Sequence, residues 1–292
     1  MTDNLRGILL MILAMGAFAV EDVWIKLIAP NLPLGQIMLV LGVVGLAFFA
    51  VLARSRGESL LMPGFFSGPV IGRNLGEIVG TAGFIQAIAL VPLTTATAIF
   101  QAMPLAITCG AALFLGERVG WRRWTAILVG FLGVLIVVRP GMAGFDPNVL
   151  WAVLAVIGLG SRDLFTRVVA ARVPTIVVAG WGYVAVITLG VGMLALSGGA
   201  VVPQGYDGPI LAAAALTGIV AYWALTAAMR VGDVAAVMPF RYSRLLFALL
   251  LGALVFGERP DPWVWVGIAL IIGSGLYAFA RERALSKSAP KR

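Results

Sequence analysis

The sequence predicts an all-α integral membrane protein of ten transmembrane helices, arranged as two inverted five-helix repeats. Three observations predict it. The 292 residues are 61% apolar and only 12% charged, with a mean hydropathy of +1.03, whereas soluble domains carry about 25% charged residues to face water. Ten stretches each approach the ~20 mostly apolar residues that cross a bilayer. The chain also matches itself at a fixed offset, Leu13 with Leu154, Asp22 with Asp163 and Lys26 with Arg167.

In chain order the expected spans are 5–29, 33–53, 69–91, 93–115, 121–139, 148–170, 174–196, 209–230, 233–256 and 262–280. Turn chemistry separates them: Pro30 to Pro33, Val91-Pro92, the stretch from Gly116 to Arg123, Arg139-Pro140-Gly141, and Gly257 to Pro260. The spans take about 200 residues and leave roughly 90 for loops and tails, too few for a soluble domain. Glu21, Asp22 and Lys26 stand where a small-residue cleavage site would be, so the first span is not read as a removable signal. Much of the glycine lies inside spans, where small residues let helix backbones approach in lipid.

The repeat divides the chain into residues 1–141 and 142–292. Pro33 meets Pro174, Gly116-Glu117-Arg118 meets Gly257-Glu258-Arg259, and Trp124 meets Trp265. A register one residue shorter matches Ala87 to Ala227, Val91 to Val231 and Ala96 to Ala236. Five spans per copy is odd, so the second copy inserts upside down, as in many secondary transporters whose site lies between the halves near the midplane. Basic residues crowd the face that holds the termini (Arg6, Arg54, Arg56, Arg118, Arg122, Arg123, Arg172, Arg230, Arg281, Arg283, Lys287, Lys291 and Arg292), with Arg139 and Arg259 opposite. The positive-inside rule then puts both termini in the cytoplasm. The net charge of +8 is thereby a topology signal, reinforced by anionic lipid, and implies no nucleic acid.

Charges inside spans cost roughly 2.5–3.5 kcal/mol each on insertion scales, so each needs a partner or a task. Asp22–Lys26 and Asp163–Arg167 are spaced i,i+4 with the acid first, the favourable helical order. As repeat-equivalent pairs sent to opposite faces they are gate candidates; the competing reading is local neutralisation with the long bases snorkelling. Glu21 matches Arg162, a charge swap that would let the halves pair. On the third span Arg73 and Glu77 are a further i,i+4 couple, and Asn74, Glu77, Thr81 and Phe84 share one face expected to line a cavity. Arg241 and Arg244, like charges at i,i+3 on the ninth span, require an anion nearby: a carboxylate, lipid phosphate or substrate. Pro104 and Pro239 are expected to kink their spans.

Trp121, Trp124, Trp263 and Trp265 flank loops and read as an interfacial belt. Trp181, Tyr183, Tyr222, Trp223 and Tyr242 lie deeper and fit either helix packing or contact with an apolar amphiphilic solute. Gln86 and Gln101 are polar inside spans and suit hydrogen bonds between helices. The chain has no histidine and one cysteine, Cys109. That removes the commonest general base and metal ligand, and neither cofactor nor metal is expected. No Gly-x-x-x-x-Gly-Lys-Ser/Thr loop is present, so ATP coupling within the chain is not expected.

Each half ends in Gly-Glu-Arg, a Trp-bearing loop and a glycine-bearing helix: Leu115 to Trp121 with Gly130 and Gly133, and Phe256 to Pro260 with Gly267 and Gly273. This pattern, found twice in ten spans, resembles the EamA family of the drug/metabolite transporter superfamily. The later aromatic-rich spans are most similar to its amino-acid exporters of the YddG type. The resemblance implies a basket of helices whose cavity is lined by the first, third, fourth, sixth, eighth and ninth spans, with the fifth and tenth peripheral.

The expected function is secondary transport of a small organic solute, most of all export of aromatic or other apolar amino acids, by alternating access across the bacterial inner membrane. The alternatives are a broad drug, nucleoside or sugar-phosphate exporter. A membrane-embedded enzyme acting on lipid would need convergent catalytic groups, and none is visible. The candidate cavity residues are Asn74, Glu77, Thr81, Phe84, Gln101, Trp181, Tyr222, Trp223, Arg241, Tyr242 and Arg244; Glu21, Asp22, Lys26, Arg162, Asp163 and Arg167 are gate or repeat-pair candidates. The partners expected are the small-molecule substrate and membrane lipid, with no obligate protein partner.

Overall fold

A computed structural model describes residues 3–117, 119–142, 145–170, 172–231 and 237–288, without the side chains of 229, 230 and 282–288. Arg118, the match of Ala96 to Ala236, positions 233–236 of the ninth span, part of the junction between the halves, and Lys291 and Arg292 lie outside the described residues, as do the side chains of Arg230, Arg283 and Lys287.

The described residues are helical, with α1 Asp3–Ile28, α2 Leu34–Ser55, α3 Gly68–Leu90, α4 Leu93–Phe100, α5 Met103–Phe114, α6 Trp121–Val138, α7 Val149–Val168, α8 Thr175–Leu196 and α9 Asp207–Val231. A 3-10 turn, Met238–Tyr242, leads into α10, Ser243–Phe256, and α11, Pro262–Ser288, closes the bundle. Nine spans among the described residues are long and apolar enough to cross a membrane. The tenth is α3, whose Arg73, Asn74, Glu77 and repeated glycines lower its hydropathy although its 23 residues suffice in length.

The fourth and ninth expected spans are each broken, at Gln101-Ala102 between α4 and α5 and at the 3-10 turn. Gln101 and Tyr242 are 141 residues apart, so the breaks are repeat-equivalent. Pro104 supplies one cause: it cannot donate to the Phe100 carbonyl. Irregular backbone survives at membrane depth where it faces protein or a cavity, and both breaks do so.

The four most extensive helix pairings cross between the halves: α1 with α9, α3 with α7, α2 with α8, and α6 with α11. The repeat turns α1 into α7 and α9 into α3, so the first two pairings are copies of each other. The others straddle the pseudo-two-fold. Gly35 of α2 packs on Gly190 of α8, and their counterparts Ile176 and Phe49 share one apolar cluster. Glycine makes the α3–α7 crossing possible: a methyl added at Gly76 would meet the Arg162 amide nitrogen at 2.7 Å and the Gly158 carbonyl oxygen at 2.9 Å. Such backbone approach replaces the hydrophobic drive that lipid does not provide. Leu9, Leu13, Leu128, Leu246 and Leu254 point outward and are exposed, as lipid-facing residues must be.

Candidate functional site

Between the halves lies a cavity of about 390 Å³. Its walls come from every span except the fifth and tenth. The second and seventh contribute through Met38, Leu41, Ala179 and Tyr183, two spans beyond those the resemblance implies. The lining runs from Thr166 and Thr175, at the ends of α7 and α8 on the face that carries the termini, to Ile25 and Ile88 toward the opposite, distal face.

The charged lining among the described residues is balanced: Glu21, Asp22, Glu77 and Asp163 against Arg73, Arg162, Arg241 and Arg244. Arg244 grips Asp22 with Nη2 at 2.7 and 2.9 Å from its two oxygens. Its guanidinium lies 4.9 to 5.3 Å from the centroids of Phe18, Phe84 and Phe100, an aromatic cage that favours a cation. Both partners are buried, so neither survives there alone without a large desolvation cost. A second cluster joins the halves through Glu77, which receives Arg73 at 2.9 Å and Arg162 at 3.3 Å. Arg162 also holds its neighbour Asp163 at 2.8 Å, and Asn74 accepts from Arg73 at 2.9 Å. Among the described residues the side chains of Glu21 and Arg241 make no hydrogen bond or ion pair.

Glu77, Thr81, Phe84, Gln101, Tyr222, Arg241, Tyr242, Arg244, Glu21, Asp22, Arg162 and Asp163 line the cavity together. Asn74 stands behind it on Arg73. Trp181 is buried elsewhere and donates to the Leu60 carbonyl at 2.8 Å, while Trp223 is 45% exposed on the outside of the bundle. Gln101 reaches across the halves to the Arg241 carbonyl at 3.4 Å.

The i,i+4 pairs expected for Asp22–Lys26 and Asp163–Arg167 do not form, nor does Glu21–Arg162. Cross-half partners take Asp22, Lys26 and Arg167, whereas Asp163 goes to its neighbour Arg162. Lys26 donates to the carbonyls of Ile88, at 3.0 Å, and Val91, and lies 3.8 Å from Glu258. Glu258 in turn accepts from the backbone N–H groups of Leu93 and Thr94 at 2.6 and 3.0 Å, capping α4 with negative charge at its positive end. Arg167 bonds Glu117 at 2.9 Å. Adding 141 to Lys26 gives Arg167 and to Glu117 gives Glu258, so these two cross-half pairs are repeat copies on opposite faces. Nearby, Arg139 holds Asp261 at 2.9 Å; the Trp263 N–H, then Arg139, keep that carboxyl below its ordinary range.

Phe18, Phe100 and Met38 were not singled out by sequence, and Glu117 and Glu258 were read as part of the repeated Gly-Glu-Arg motif but not as ion-pair partners. The two glutamates carried a usable signal, since the offset that aligns Lys26 with Arg167 also aligns them. The rings around Arg244 carried none beyond Phe18 standing one turn before Asp22.

The EamA-like transporter family model matches residues 5–139 and again 147–279. A riboflavin transporter of Rhizobium johnstonii is 35% identical over 72% of this chain and 70% of its own length. An S-adenosylmethionine uptake transporter of Rickettsia felis is 27% identical over 74% and 73%, and a pseudopaline exporter of Pseudomonas aeruginosa 26% identical over 91% and 93%. A solved crystal structure superposes with a TM-score of 0.63 over 98% of this chain and 99% of its own, at 23% identity, which shows the shared fold. The chain belongs to the EamA-like transporter family of the drug/metabolite transporter superfamily, and is a multi-pass membrane transporter of a small molecule.

Proposed function

We propose that the protein carries a ring-bearing metabolite of little net charge, of riboflavin's kind, across the bacterial inner membrane by alternating access, with both termini in the cytoplasm. The balanced lining of four acids and four arginines carries this reading. A solute with two or more uncompensated negative charges, such as a sugar phosphate, would upset a network whose members already neutralise one another. Phe18, Phe84, Phe100, Tyr183, Tyr222 and Tyr242 offer apolar faces to a ring, and the volume falls within the ~300–1,000 Å³ of sites that enclose such ligands. The riboflavin transporter at 35% identity supports the same cargo class. Alternating access rests on the repeat-equivalent pairs Lys26–Glu258 and Arg167–Glu117, which tie the halves at opposite faces.

Purified protein in sealed vesicles should pass riboflavin saturably and exchange it against unlabelled riboflavin, and Arg244→Ala should abolish the flux. Folded protein that passes no riboflavin, yet passes sugar phosphate, would overturn the cargo assignment. Export of apolar amino acids is the second reading, favoured by one observation: a carboxylate and a guanidinium stand unpaired in the same cavity.

A further inference from the structure

The loop that joins α2 to α3, residues 56–67, and the loop that joins α8 to α9, residues 197–206, are repeat copies at opposite faces of the bundle. Each is fastened to a helix of the other half, through residues 141 apart in the sequence. The Leu60 carbonyl accepts from Trp181 Nε1 of α8 at 2.8 Å. The Val201 carbonyl accepts from Gln36 Nε2 of α2 at 2.8 Å, and the Val201 N–H donates back to Gln36 Oε1 at 2.9 Å. At about 3.6 residues per turn, Val177 and Trp181 fall on the far side of α8 from the cavity-lining Ala179, Gly182 and Val186. Gln36 likewise falls on the far side of α2 from Met38 and Leu41. Both loops therefore cross the outside of the bundle, where lipid lies, at the level of the helix ends.

The first loop divides its side chains by direction. Leu60, Met62 and Phe65 pack on Val70, Val177 and Trp181, whereas Leu61 and Phe66 are 95% and 83% exposed. Two large apolar side chains held outward at a membrane face are stabilised by entering the acyl boundary. Arg54 and Arg56 stand exposed at the base of the loop, and among the described residues neither guanidinium makes a hydrogen bond or ion pair. Arg172 adjoins Val173, which packs on the same cluster. One acid in the loop, Glu58, opposes these three bases. The second loop also turns apolar groups outward, Val202 and Tyr206 at 83% and 82% exposure, but residues 197–206 include no lysine or arginine.

We propose that the loop of residues 56–67 is a binding site for an anionic phospholipid on the face that carries the termini: Arg54 and Arg56 hold the headgroup phosphate while Leu61 and Phe66 enter the acyl region beside it. A guanidinium suits phosphate oxygens because it presents parallel N–H donors. Net negative charge is selected because the three bases outnumber Glu58. The loop of residues 197–206 enters the other leaflet through Val202 and Tyr206 and does not discriminate headgroup charge. The bound lipid bears, through Trp181, on the outer side of α8, whose inner side lines the cavity.

The test attaches a bimane fluorophore through Leu61→Cys or Val202→Cys in a Cys109→Ser background, in full-length protein reconstituted into phosphatidylcholine vesicles. Part of the lipid is replaced, at equal mole fraction, by tail-brominated phosphatidylglycerol or tail-brominated phosphatidylcholine. Both labels should be quenched by brominated lipid and protected from aqueous iodide. At position 61 brominated phosphatidylglycerol should quench roughly twofold or more as strongly as brominated phosphatidylcholine, a surplus that high salt removes. Arg54→Gln with Arg56→Gln should abolish the surplus and leave quenching by brominated phosphatidylcholine unchanged, whereas Arg6→Gln, on the same face but on α1, should keep it. At position 202 the two lipids should quench alike. A label at position 61 that iodide quenches and brominated lipid does not would place the loop in water and overturn the proposal. Equal quenching by the two lipids there would overturn the anionic site, and a surplus that survives loss of both arginines would overturn their assignment.

Discussion

The two cross-half ion pairs began as copies of one design and are not in the same state. At the distal face Lys26 and Glu258 are 15% and 9% exposed, and at the opposite face Arg167 and Glu117 are 49% and 45% exposed. The distal pair is also braced: Lys26 reaches two carbonyls at the α3–α4 junction, and Glu258 caps α4. A third tie, Arg139–Asp261, clips α6 to the start of α11, and its repeat counterparts are Ala280 and Gly120, which cannot make it. The cavity lining follows the same asymmetry, ending at Ile25 and Ile88 distally and extending to Thr166 and Thr175 at the terminal face. Symmetry supplies both ends with the same kind of pair, and the structure buries and braces the distal one.

The charge network deeper in the cavity breaks symmetry in the same direction. Arg244 clamps Asp22, whereas the counterpart of Arg244 is Met103, and Asp163 turns to its neighbour Arg162. The largest effect is therefore expected from Arg244→Ala, which strands Asp22 among three rings. Loss of one partner of a buried pair costs about 3–5 kcal/mol, read as a lower melting temperature in detergent, and Asp163→Asn should cost clearly less. Equal losses would show that the two halves are held alike.

Next in size, Glu258→Gln removes the charge from the α4 cap and from Lys26. Caps contribute about 0.5–2 kcal/mol, enough to loosen the distal end. In a Cys109→Ser background carrying Ile25→Cys, labelling by a membrane-impermeant maleimide from the distal side should rise several-fold. Unchanged labelling would mean that this pair does not close the distal end. The mirror change, Arg167→Gln, breaks a half-exposed pair worth about 1 kcal/mol or less and should alter stability by no more than that.

The smallest effect is a pH dependence at the distal clip. Asp261 has a lowered folded-state pKa, first through the Trp263 N–H and then through Arg139. Its contribution is present above the ordinary aspartate value of about 3.9 and disappears as pH falls through the lowered native value. The melting temperature in detergent should fall slightly at the acid end of that window, and Asp261→Asn should remove this pH dependence.

Most of the fold was legible because lipid imposes it: a backbone crossing hydrocarbon must satisfy its own hydrogen bonds, so runs of ~20 apolar residues become helices. α3 was read as one of the ten apolar stretches although its hydropathy is low; its polar residues face the cavity and its glycines face α7. The cavity stripe of Glu77, Thr81 and Phe84 followed from helical period, and Asn74 on the same stripe was drawn off by Arg73. Trp181 and Trp223 were misleading for one reason: depth in a span does not say which way a ring points. The partners of Lys26, Asp22 and Arg167 were misassigned because local spacing proposes i,i+4 neighbours, whereas a buried carboxylate goes to whichever guanidinium reaches it best.

The sequence by itself determined the number of spans, the duplication and, through the odd count of five, the inversion. Those are properties of single segments and of their order, and the bilayer acts on each segment separately. Only the tertiary structure decided which charges neutralise one another, which two are left over and at which end the repeated pair is buried. Ion pairing in a low-dielectric interior depends on distances of a few ångströms between helices far apart in the chain. The same repeated residues therefore form a buried, braced pair at one face and a half-exposed one at the other.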